Sequence, residues 1–486
     1  MVPPEPAAVA ETHVSWVFLV GDRAYKLKKP IRNGFLDFST REARHWACRE
    51  EVRVNRRLAP DVYLGVDTVC DADGTVLDHM VAMRRMPAER RLATLVTQGV
   101  DVDDALRDIA HRLAALHLGS GRSEEADEAA SVAATRRRWE ANHTELTPLL
   151  GLLADPAAPG RVLDLALAYL EGRGALFAER VRAGRAVDGH GDLLAEDIFV
   201  LDDGPRILDA LEFDVRLRVG DGLADVAFLA MDLEHLGAPQ LAGRLLRWYA
   251  EFAADRWPSS LAHHHIAYRA QVRAKVALLV ASAAGATCAP EADALFALAE
   301  RHLNAGRVRL VLIGGPPGTG KTTLARALAE PSGWVVLRSD EARKELAGLA
   351  AVTPTVHPLD TGIYGPTMTA LTYGELLHRA DRLLEQGETV VLDATWADPA
   401  WRDEARHTAD RSGAELVALR CVAPGTLAEA RVAARQAGGG DASDASPAVA
   451  RAVAERFAPW PDAVEVDTSA PPAAVVRAAR QVPALA

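Results

Sequence analysis

Apolar and polar residues alternate along the first ninety positions of the chain, and this pattern predicts short strands. Apolar residues alternate over 14–29 on both sides of Gly21-Asp22, which is typical of a β-hairpin. A second alternating stretch at 63–86 indicates another hairpin, and residues 39–60 between them have helical spacing. We therefore expect a small α+β lobe over residues 1–87.

Helical periodicity dominates the next part of the chain. It begins at about residue 101, is interrupted by strand-like pieces at 197–213, and returns over 222–304. These features predict a mainly helical second lobe over residues 88–304.

A different sequence pattern begins at residue 308, where short apolar stretches typical of strands alternate with helical stretches. The strands read RLVLIG, GWVVLRSD, ETVVLDAT, AELVALRC and AVEVD. This alternation is typical of βαβ units and predicts an α/β domain over 305–486, with a parallel sheet and helices on both faces. The Gly-, Ser- and Asp-rich stretch at 438–447 is expected to be a loop.

Composition and charge narrow the classes of protein that fit. The chain has 486 residues, 49% hydrophobic and 25% charged, which is enough apolar content for folded cores. A net charge of -12 argues against a general nucleic-acid or anionic-membrane binder. Four scattered cysteines without a CxxC pair argue against a zinc or disulfide scaffold. Without a signal-like start or an apolar run of ~18 residues, we expect a soluble cytoplasmic protein.

The sequence GPPGTGKT provides the clearest chemical signal. It matches GxxxxGK[ST] through Gly315, Gly320, Lys321 and Thr322, between a predicted strand and a predicted helix. Such a loop wraps phosphates with backbone N–H groups, its lysine reaches the terminal phosphates of ATP, and its threonine holds Mg²⁺. We expect Gly318 and Thr323 to belong to the same ATP site.

Residues after this loop favour a small kinase over a motor ATPase. The strand that ends VVLDATW supplies Asp393 but no following glutamate, which a AAA+ motor would need. The stretch LRSDEARKEL instead places Asp340 at the carboxyl end of a strand, where open α/β sheets bind ligands.

This segment resembles the P-loop kinases that include polynucleotide kinase, zeta toxins and gluconate kinase. The resemblance implies that Asp340 is the general base for the acceptor hydroxyl. It also implies that Arg431 and Arg435, spaced i and i+4, act on the transferring phosphate. The alternatives are a helix-capping role for Asp340 and a solvated face for the two arginines.

A second, unrelated signal lies at 189–199, GHGDLLAEDIF. It fits HxDxxxxN, the catalytic loop of protein kinases, with Asp197 in the asparagine position. The loop resembles that of the aminoglycoside phosphotransferase and choline kinase branch, which usually reads HGDxHxxN, and Leu194 is a further departure. The resemblance implies that Asp192 is the catalytic base and that Asp197 binds Mg²⁺.

The same fold requires a phosphate-pairing lysine and a carboxylate that pairs with it. Lys26 stands in the second strand of the first hairpin, and Lys28 on the same strand face is the alternative. Glu50 or Glu51 in the following helix supplies the carboxylate, with Glu51 assigned to the site.

A second metal ligand is expected in RILDALEFD, after the catalytic loop. Asp209, Glu212 and Asp214 are the candidates, with Asp209 favoured and Glu212 close behind. The later stretch DVAF, with Asp225, looks like the structural aspartate segment of the same family.

Taken whole, the chain resembles bacterial bifunctional proteins that fuse an aminoglycoside phosphotransferase-like domain to a P-loop kinase-like domain. The resemblance implies an ATP- and Mg²⁺-dependent phosphotransferase with two nucleotide-binding centres and a small hydroxylated substrate. One alternative is a single active centre with a regulatory nucleotide site in the other half. Another is a polynucleotide or RNA-end kinase in the C-terminal half, against which the acidic net charge argues.

Overall fold

The computed structural model describes residues 8–12, 14–32, 37–353, 355, 360–438, 442–482 and 485. The chain divides into two compact units. The first unit consists of Met1–Asp164, Phe177–Trp257 and Ala262–Leu303, and the second of Leu165–Leu176, Pro258–Leu261 and Asn304–Ala486. The lobe and domain boundaries derived from the sequence stay predictions, and part of the 438–447 stretch lies outside the described residues.

The first unit opens with a five-stranded antiparallel sheet of strand order β1-β2-β3-β5-β4, covered by helix α1. Its elements are β1 Ala8–Glu11, β2 Ser15–Val20, β3 Arg23–Lys28, α1 Arg41–Asn55, β4 Tyr63–Cys70 and β5 Val76–Arg84. The two predicted hairpins are confirmed, whereas β1 was not predicted. Thr40 caps α1 by accepting a hydrogen bond from the Ala43 amide, and Val52 and Val81 lie in the core between helix and sheet.

The rest of the first unit is mainly helical, with two short antiparallel strand pairs, β6-β9 and β7-β8. The helices and strands from residue 92 to residue 305 are α2 Leu92–Thr97, α3 Asp103–Gly119, α4 Glu124–Ala129, α5 Val132–Leu146, α6 Ala158–Leu170, α7 Gly174–Arg182, β6 Ala186–Asp188, β7 Ile198–Leu201, β8 Gly204–Ile207, β9 Val219–Asp221, α8 Gly222–His235, α9 Pro239–Phe252, α10 Ser259–Ala283 and α11 Pro290–Ala305.

A buried ion cluster holds α7 against the start of α8. Arg180 Nη2 lies 2.7 Å from one oxygen of Asp221 and 2.9 Å from one oxygen of Asp255, and all three side chains are buried. Asp221 also caps α8, because its carboxylate accepts a hydrogen bond of 2.8 Å from the Leu223 amide. The cluster therefore fixes the helix that carries Asp225.

The second unit is built on a five-stranded parallel sheet of order β11-β12-β10-β13-β14. Its elements after α11 are β10 Arg309–Gly314, α12 Lys321–Ala329, β11 Val335–Arg338, α13 Ser339–Leu346, α14 Pro366–Glu385, β12 Val390–Asp393, α15 Pro399–Arg411, β13 Glu415–Val422, α16 Gly425–Gly438, α17 Pro447–Arg456, β14 Val464–Asp467 and α18 Pro472–Arg480. The predicted parallel sheet is confirmed, and every residue of the central strand β10 is buried.

None of the helices in the described part of the chain combines the length and the apolar character needed to cross a lipid bilayer.

The Arg180 cluster yields a stability test. Replacing Arg180 with leucine leaves the buried carboxylate of Asp221 without its cation and leaves Asp255 with Arg185 alone, so we expect the free energy of unfolding to fall by about 3–5 kcal/mol in urea titrations. Arg182→Leu, on the same helix, is the matched control, because the Arg182 side chain is 70% exposed in its ion pair with Glu179. Equal losses in the two variants would contradict the structural role given to Arg180.

Candidate functional sites

The loop that carries Asp192 lies between β6 and β7 and is held by one buried carboxylate. Asp225, in the first turn of α8, accepts hydrogen bonds of 2.8 Å from the amides of His190 and Gly191. His117 Nε2 lies 3.1 Å from the same carboxylate. Burial alone would raise the pKa of Asp225, but the hydrogen bond from His117 holds it well below its ordinary value. The ionised carboxylate therefore fixes the backbone next to Asp192.

Two further contacts support this loop. From α10, Arg269 donates hydrogen bonds to the carbonyl oxygens of Ala224, at 2.9 Å, and Gly191, at 3.3 Å. The backbone of Gly191 has a φ of 90°, a conformation that glycine adopts without the clash of a Cβ atom.

Asp192, Asp197 and Asp209 lie close enough to repel one another electrostatically. Burial raises the pKa of Asp192 to about 6, with Asp209 adding to the shift and Arg273 opposing it. Burial, Asp209 and Asp192 together raise the pKa of Asp197 well above its ordinary value. The amide of Leu208 donates to the Asp197 carbonyl at 3.0 Å, which ties the loop of Asp192 and Asp197 to the segment that ends in Asp209.

Two of these three carboxylates, Asp197 and Asp209, are the predicted metal ligands. Within the described ranges, no group of three or more His, Cys, Asp and Glu side chains forms a ready metal site. The donors are nevertheless of the kind that Mg²⁺ prefers, because it binds through one or two carboxylates together with water and substrate phosphates. Since a cation would relieve the repulsion that raises the Asp197 pKa, the residues fit Mg²⁺.

The predicted lysine Lys26 and its predicted partner Glu51 form an ion pair, and Lys28 pairs with the same carboxylate. Lys26 Nζ lies 3.0 Å from Glu51 and also forms an ion pair with Asp209. Lys28 Nζ lies 2.6 Å from the second oxygen of Glu51 and 2.5 Å from Glu212. Although burial opposes its charge, Asp209 and Glu51 hold the pKa of Lys26 well above its ordinary value. The two lysines left open by the sequence thus share one carboxylate.

The remaining acidic candidates are engaged elsewhere. Glu50 accepts a hydrogen bond of 2.8 Å from Arg53, and Asp214 accepts one of 2.8 Å from Arg216. Glu212 is bound to Lys28, so Asp209, half-exposed and paired only with Lys26 in this network, remains the better placed metal ligand. Its role stays a prediction.

Sequence reasoning missed Asn55, which connects α1 to the segment after Asp209. Asn55 accepts a hydrogen bond of 2.8 Å from the Ala210 amide and donates one of 3.0 Å to the Glu51 carbonyl. Its position four residues after Glu51, on the same helix face, is a signal that was available in the sequence.

In the second unit, the P-loop joins β10 to α12 and its shape depends on glycine. Gly318 has a φ of 85°, and a Cβ atom at this position would lie 2.3 Å from the Ala428 carbonyl oxygen. Gly315 is similarly close to the Cys421 carbonyl, at 2.5 Å from a Cβ atom. Lys321 opens α12, and its ammonium group donates to the Pro316 carbonyl at 3.1 Å.

The carboxylate of Asp393, at the end of β12, lies beside the P-loop. Thr322 donates a hydrogen bond of 2.6 Å to Asp393, and Arg338 Nε lies 3.4 Å from the same oxygen. This threonine–aspartate pair offers the oxygen donors that Mg²⁺ prefers, so the residues fit the metal. The sequence had noted Asp393 but had not assigned it to the site.

Asp340 follows β11 and faces the same region. Burial and the nearby Asp393 raise the pKa of Asp340, while Lys321, a hydrogen bond from Ser443 and Arg343 oppose the shift. Arg343 is fixed by hydrogen bonds to the Ile363 carbonyl, at 2.9 Å, and to Thr369, at 3.1 Å.

One cavity of about 890 Å³ collects most of the residues predicted for this half. Its lining includes Gly318, Gly320, Lys321, Thr322, Thr323, Asp340, Arg431 and Arg435. A smaller cavity of about 190 Å³ adjoins it at Gly320, Thr323 and Arg431, and also contacts Thr468 and Pro472. Arg431 lies between them, with its guanidinium donating to the Thr468 carbonyl at 2.8 Å.

Comparison with solved structures finds similarity to several kinases. A choline kinase from Cryptosporidium parvum Iowa II is 10% identical, with 61% of this chain and 88% of that chain covered and a TM-score of 0.40. A thermostable mutant of the aminoglycoside phosphotransferase APH(4)-Ia is 15% identical over 62% of this chain and 95% of that chain, with a TM-score of 0.38. A gluconokinase from Sinorhizobium meliloti 1021 is 18% identical over 35% of this chain and 87% of that chain, with a TM-score of 0.26.

Comparison with sequences finds relatives that match nearly the whole chain. Residues 310–460 match the family described as "AAA domain". The uncharacterized protein Rv2004c of Mycobacterium tuberculosis is 41% identical over 463 residues, which cover 95% of this chain and 92% of that protein. The uncharacterized protein Mb2027c of Mycobacterium bovis has the same identity and coverage. The chain therefore belongs to the family of these mycobacterial proteins.

Proposed function

We propose that the chain is an ATP- and Mg²⁺-dependent phosphotransferase with two nucleotide-binding centres, each transferring phosphate to a hydroxyl group of a small molecule. The observation that supports it best is the cavity of about 890 Å³ in the second unit. There the P-loop lysine, the Thr322–Asp393 pair and the carboxylate of Asp340 line one space of about 890 Å³. Phosphoryl transfer needs these three parts, a phosphate cradle, a metal site and a base.

The second of these centres is the P-loop site of the second unit. There the backbone N–H groups of the P-loop and the Lys321 ammonium would hold the phosphates of ATP. Asp340 would orient the acceptor hydroxyl and take its proton, a task that suits a carboxylate whose pKa is raised by burial. Thr322 and Asp393 would hold Mg²⁺, which supplies charge neutralisation at the terminal phosphates. The small cavity beside Thr323 and Thr468 adjoins the P-loop and would receive the adenine base.

In the first centre, Lys26 would hold phosphate oxygens while Glu51 keeps its ammonium group in place. Asp192 would accept the proton of the acceptor hydroxyl, and Asp197 and Asp209 would hold Mg²⁺. Arg273 and Arg269 act electrostatically on Asp192, which disfavours a polycationic acceptor such as an aminoglycoside. The alternative, a first centre that binds nucleotide only to regulate, is favoured by the ion pair between Asp209 and Lys26, because both groups must be released before they bind metal and phosphate.

A small-molecule acceptor and a cytoplasmic location follow from the same proposal. ATP is available in the cytoplasm, and all four cysteines are free thiols, as a reducing compartment would keep them. The acidic net charge of -12 disfavours nucleic acid as the acceptor.

Titration calorimetry with a non-hydrolysable ATP analogue and Mg²⁺ tests the number of centres. We expect two binding events in the wild type, loss of one in Lys321→Ala and loss of the other in Asp197→Ala. Lys275→Ala, which removes a lysine paired with Glu145 outside both sites, is the control and should keep both events. A single event in the wild type would contradict the two-centre proposal.

The two proposed bases are tested by Asp192→Asn and Asp340→Asn. A positioned general base contributes ~10²–10⁴-fold to rate, so each variant should lose that factor in kcat at its own centre while still binding ATP. ADP release in the presence of a panel of hydroxylated metabolites is the measurement. Full turnover by either variant on an acceptor used by the wild type would remove that residue from the mechanism.

The positions of Arg431 and Arg435 predict different kinetic effects. Arg431 is bonded to Thr468 beside the small cavity, so Arg431→Ala should mainly raise the KM for ATP. Arg435 lines only the large cavity with Asp340, so Arg435→Ala should mainly lower kcat by weakening stabilisation of the transferring phosphate. Initial rates over a range of ATP concentrations separate the two, and identical effects in both variants would contradict this assignment.

A further inference from the structure

A serine hydroxyl of the chain itself contacts the proposed base of the second centre. Ser443 lies in the connection between α16 and α17, lines the large cavity, and donates a hydrogen bond to the carboxylate of Asp340. Lys321 of the P-loop acts electrostatically on the same carboxylate. Lys321 also lines this cavity, so the hydroxyl lies beside the carboxylate base in the space that contains the phosphate-binding lysine.

The residue that follows Ser443 is firmly anchored. Asp444 forms an ion pair with Lys344, at 3.1 Å, and accepts a hydrogen bond of 3.0 Å from the Tyr364 hydroxyl. The side chain of Lys344 is fully buried and that of Asp444 is 10% exposed. A buried, charge-assisted pair of this kind holds the backbone of Asp444 in one place, directly next to Ser443.

A general base for phosphoryl transfer needs a hydroxyl within hydrogen-bond reach and a terminal phosphate on the far side of that hydroxyl. Ser443 meets the first condition, and the P-loop in the same cavity supplies the second when ATP is bound. We propose that Ser443 is a phosphate acceptor, and that the second centre phosphorylates this serine of its own chain with ATP. The inference rests on the ATP-dependent function proposed above for the second centre.

The transfer balances with ATP as the only co-reactant. The Ser443 Oγ forms a bond to the terminal phosphorus of ATP, the bond from that phosphorus to the bridging oxygen breaks, and ADP leaves. Asp340 accepts the hydroxyl proton and later releases it to water. The products are ADP and phosphoserine.

The cavity also offers partners for the product. Phosphoserine carries a charge of about −1.5 to −2 near neutral pH and pairs well with arginine. Arg343 and Arg435 both line the cavity that contains Ser443. A phosphate on Ser443 would therefore remain on the acceptor side of the site, where it would compete with an external hydroxyl for Asp340.

The test is incubation of the full chain with ATP and Mg²⁺ and no added acceptor, followed by mapping of phosphopeptides by mass spectrometry. We expect phosphate on Ser443 in the wild type, none at this position in Ser443→Ala, and phosphothreonine in Ser443→Thr. Lys321→Ala should abolish the reaction, and Asp340→Asn should slow it by ~10²–10⁴-fold. Ser446→Ala, three residues further on at the cap of α17, is the matched control and should leave the Ser443 phosphate unchanged.

Two measurements on the same preparations make the result decisive. A rate constant that does not change when the protein is diluted supports transfer within one chain, whereas a rate constant proportional to protein concentration overturns it. If the ATP analogue binds with its Lys321-dependent event and no phosphate appears on Ser443, the acceptor role of Ser443 is wrong while the proposed function stands. If that binding event is missing, both fail together.

Discussion

The Asp225 carboxylate is the contact on which the first centre depends. Its two oxygens accept the amides of His190 and Gly191, and a third partner, His117, approaches from α3. A buried carboxylate satisfied in this way stays ionised, and losing one of its hydrogen bonds would leave part of its charge unsatisfied in the core. The position of Asp192 is thus set by backbone hydrogen bonds to another helix rather than by its own side-chain contacts.

In the second unit the equivalent constraint is steric. The P-loop passes so close to the Ala428 and Cys421 carbonyls that only glycine fits at 318 and 315. Because Ala428 lies in the first turn of α16, the P-loop lies between this turn and the first turn of α12. Lys321, Arg431 and Arg435 line the cavity next to the loop. A rigid phosphate cradle therefore comes from backbone packing, and the charged side chains are arranged around it.

The sequence could locate those residues whose roles follow from neighbours in the same strand, loop or helix. The P-loop, Asp340, Asp192 and Lys26 all belong to short motifs; in the structure Asp340 lines one cavity with the P-loop, and Lys26 pairs with Glu51. The choice between Glu50 and Glu51 could not be made in this way. Adjacent helical residues point about 100° apart, and only the position of the sheet decides which one is buried.

Contacts between residues far apart in the sequence could not be predicted either, because they too depend on how the elements pack. Lys28 and Glu212 are 184 positions apart, and Lys344 and Asp444 are 100 apart. Periodicity indicates which face of an element is buried, but it does not identify the residue that packs there. Both pairs place a buried lysine next to a carboxylate, and burying such a lysine alone would be strongly unfavourable. A lysine on an otherwise apolar strand face thus indicates that a carboxylate partner exists, but it does not identify which residue that partner is.

Under the proposed function, electrostatics gives a reason for one chain to contain two different phosphate-binding arrangements. Carboxylates outnumber lysines in the first centre, and Lys26 is already bound by Glu51 and Asp209. Phosphates can approach such a site only with a cation between them and the aspartates. In the second centre, the P-loop residues Gly318 and Gly320 and the cations Lys321 and Arg435 line the cavity. Under the proposed function, the first centre depends on the metal for binding nucleotide at all, whereas the second uses the metal chiefly to position and neutralise phosphates that the P-loop already holds.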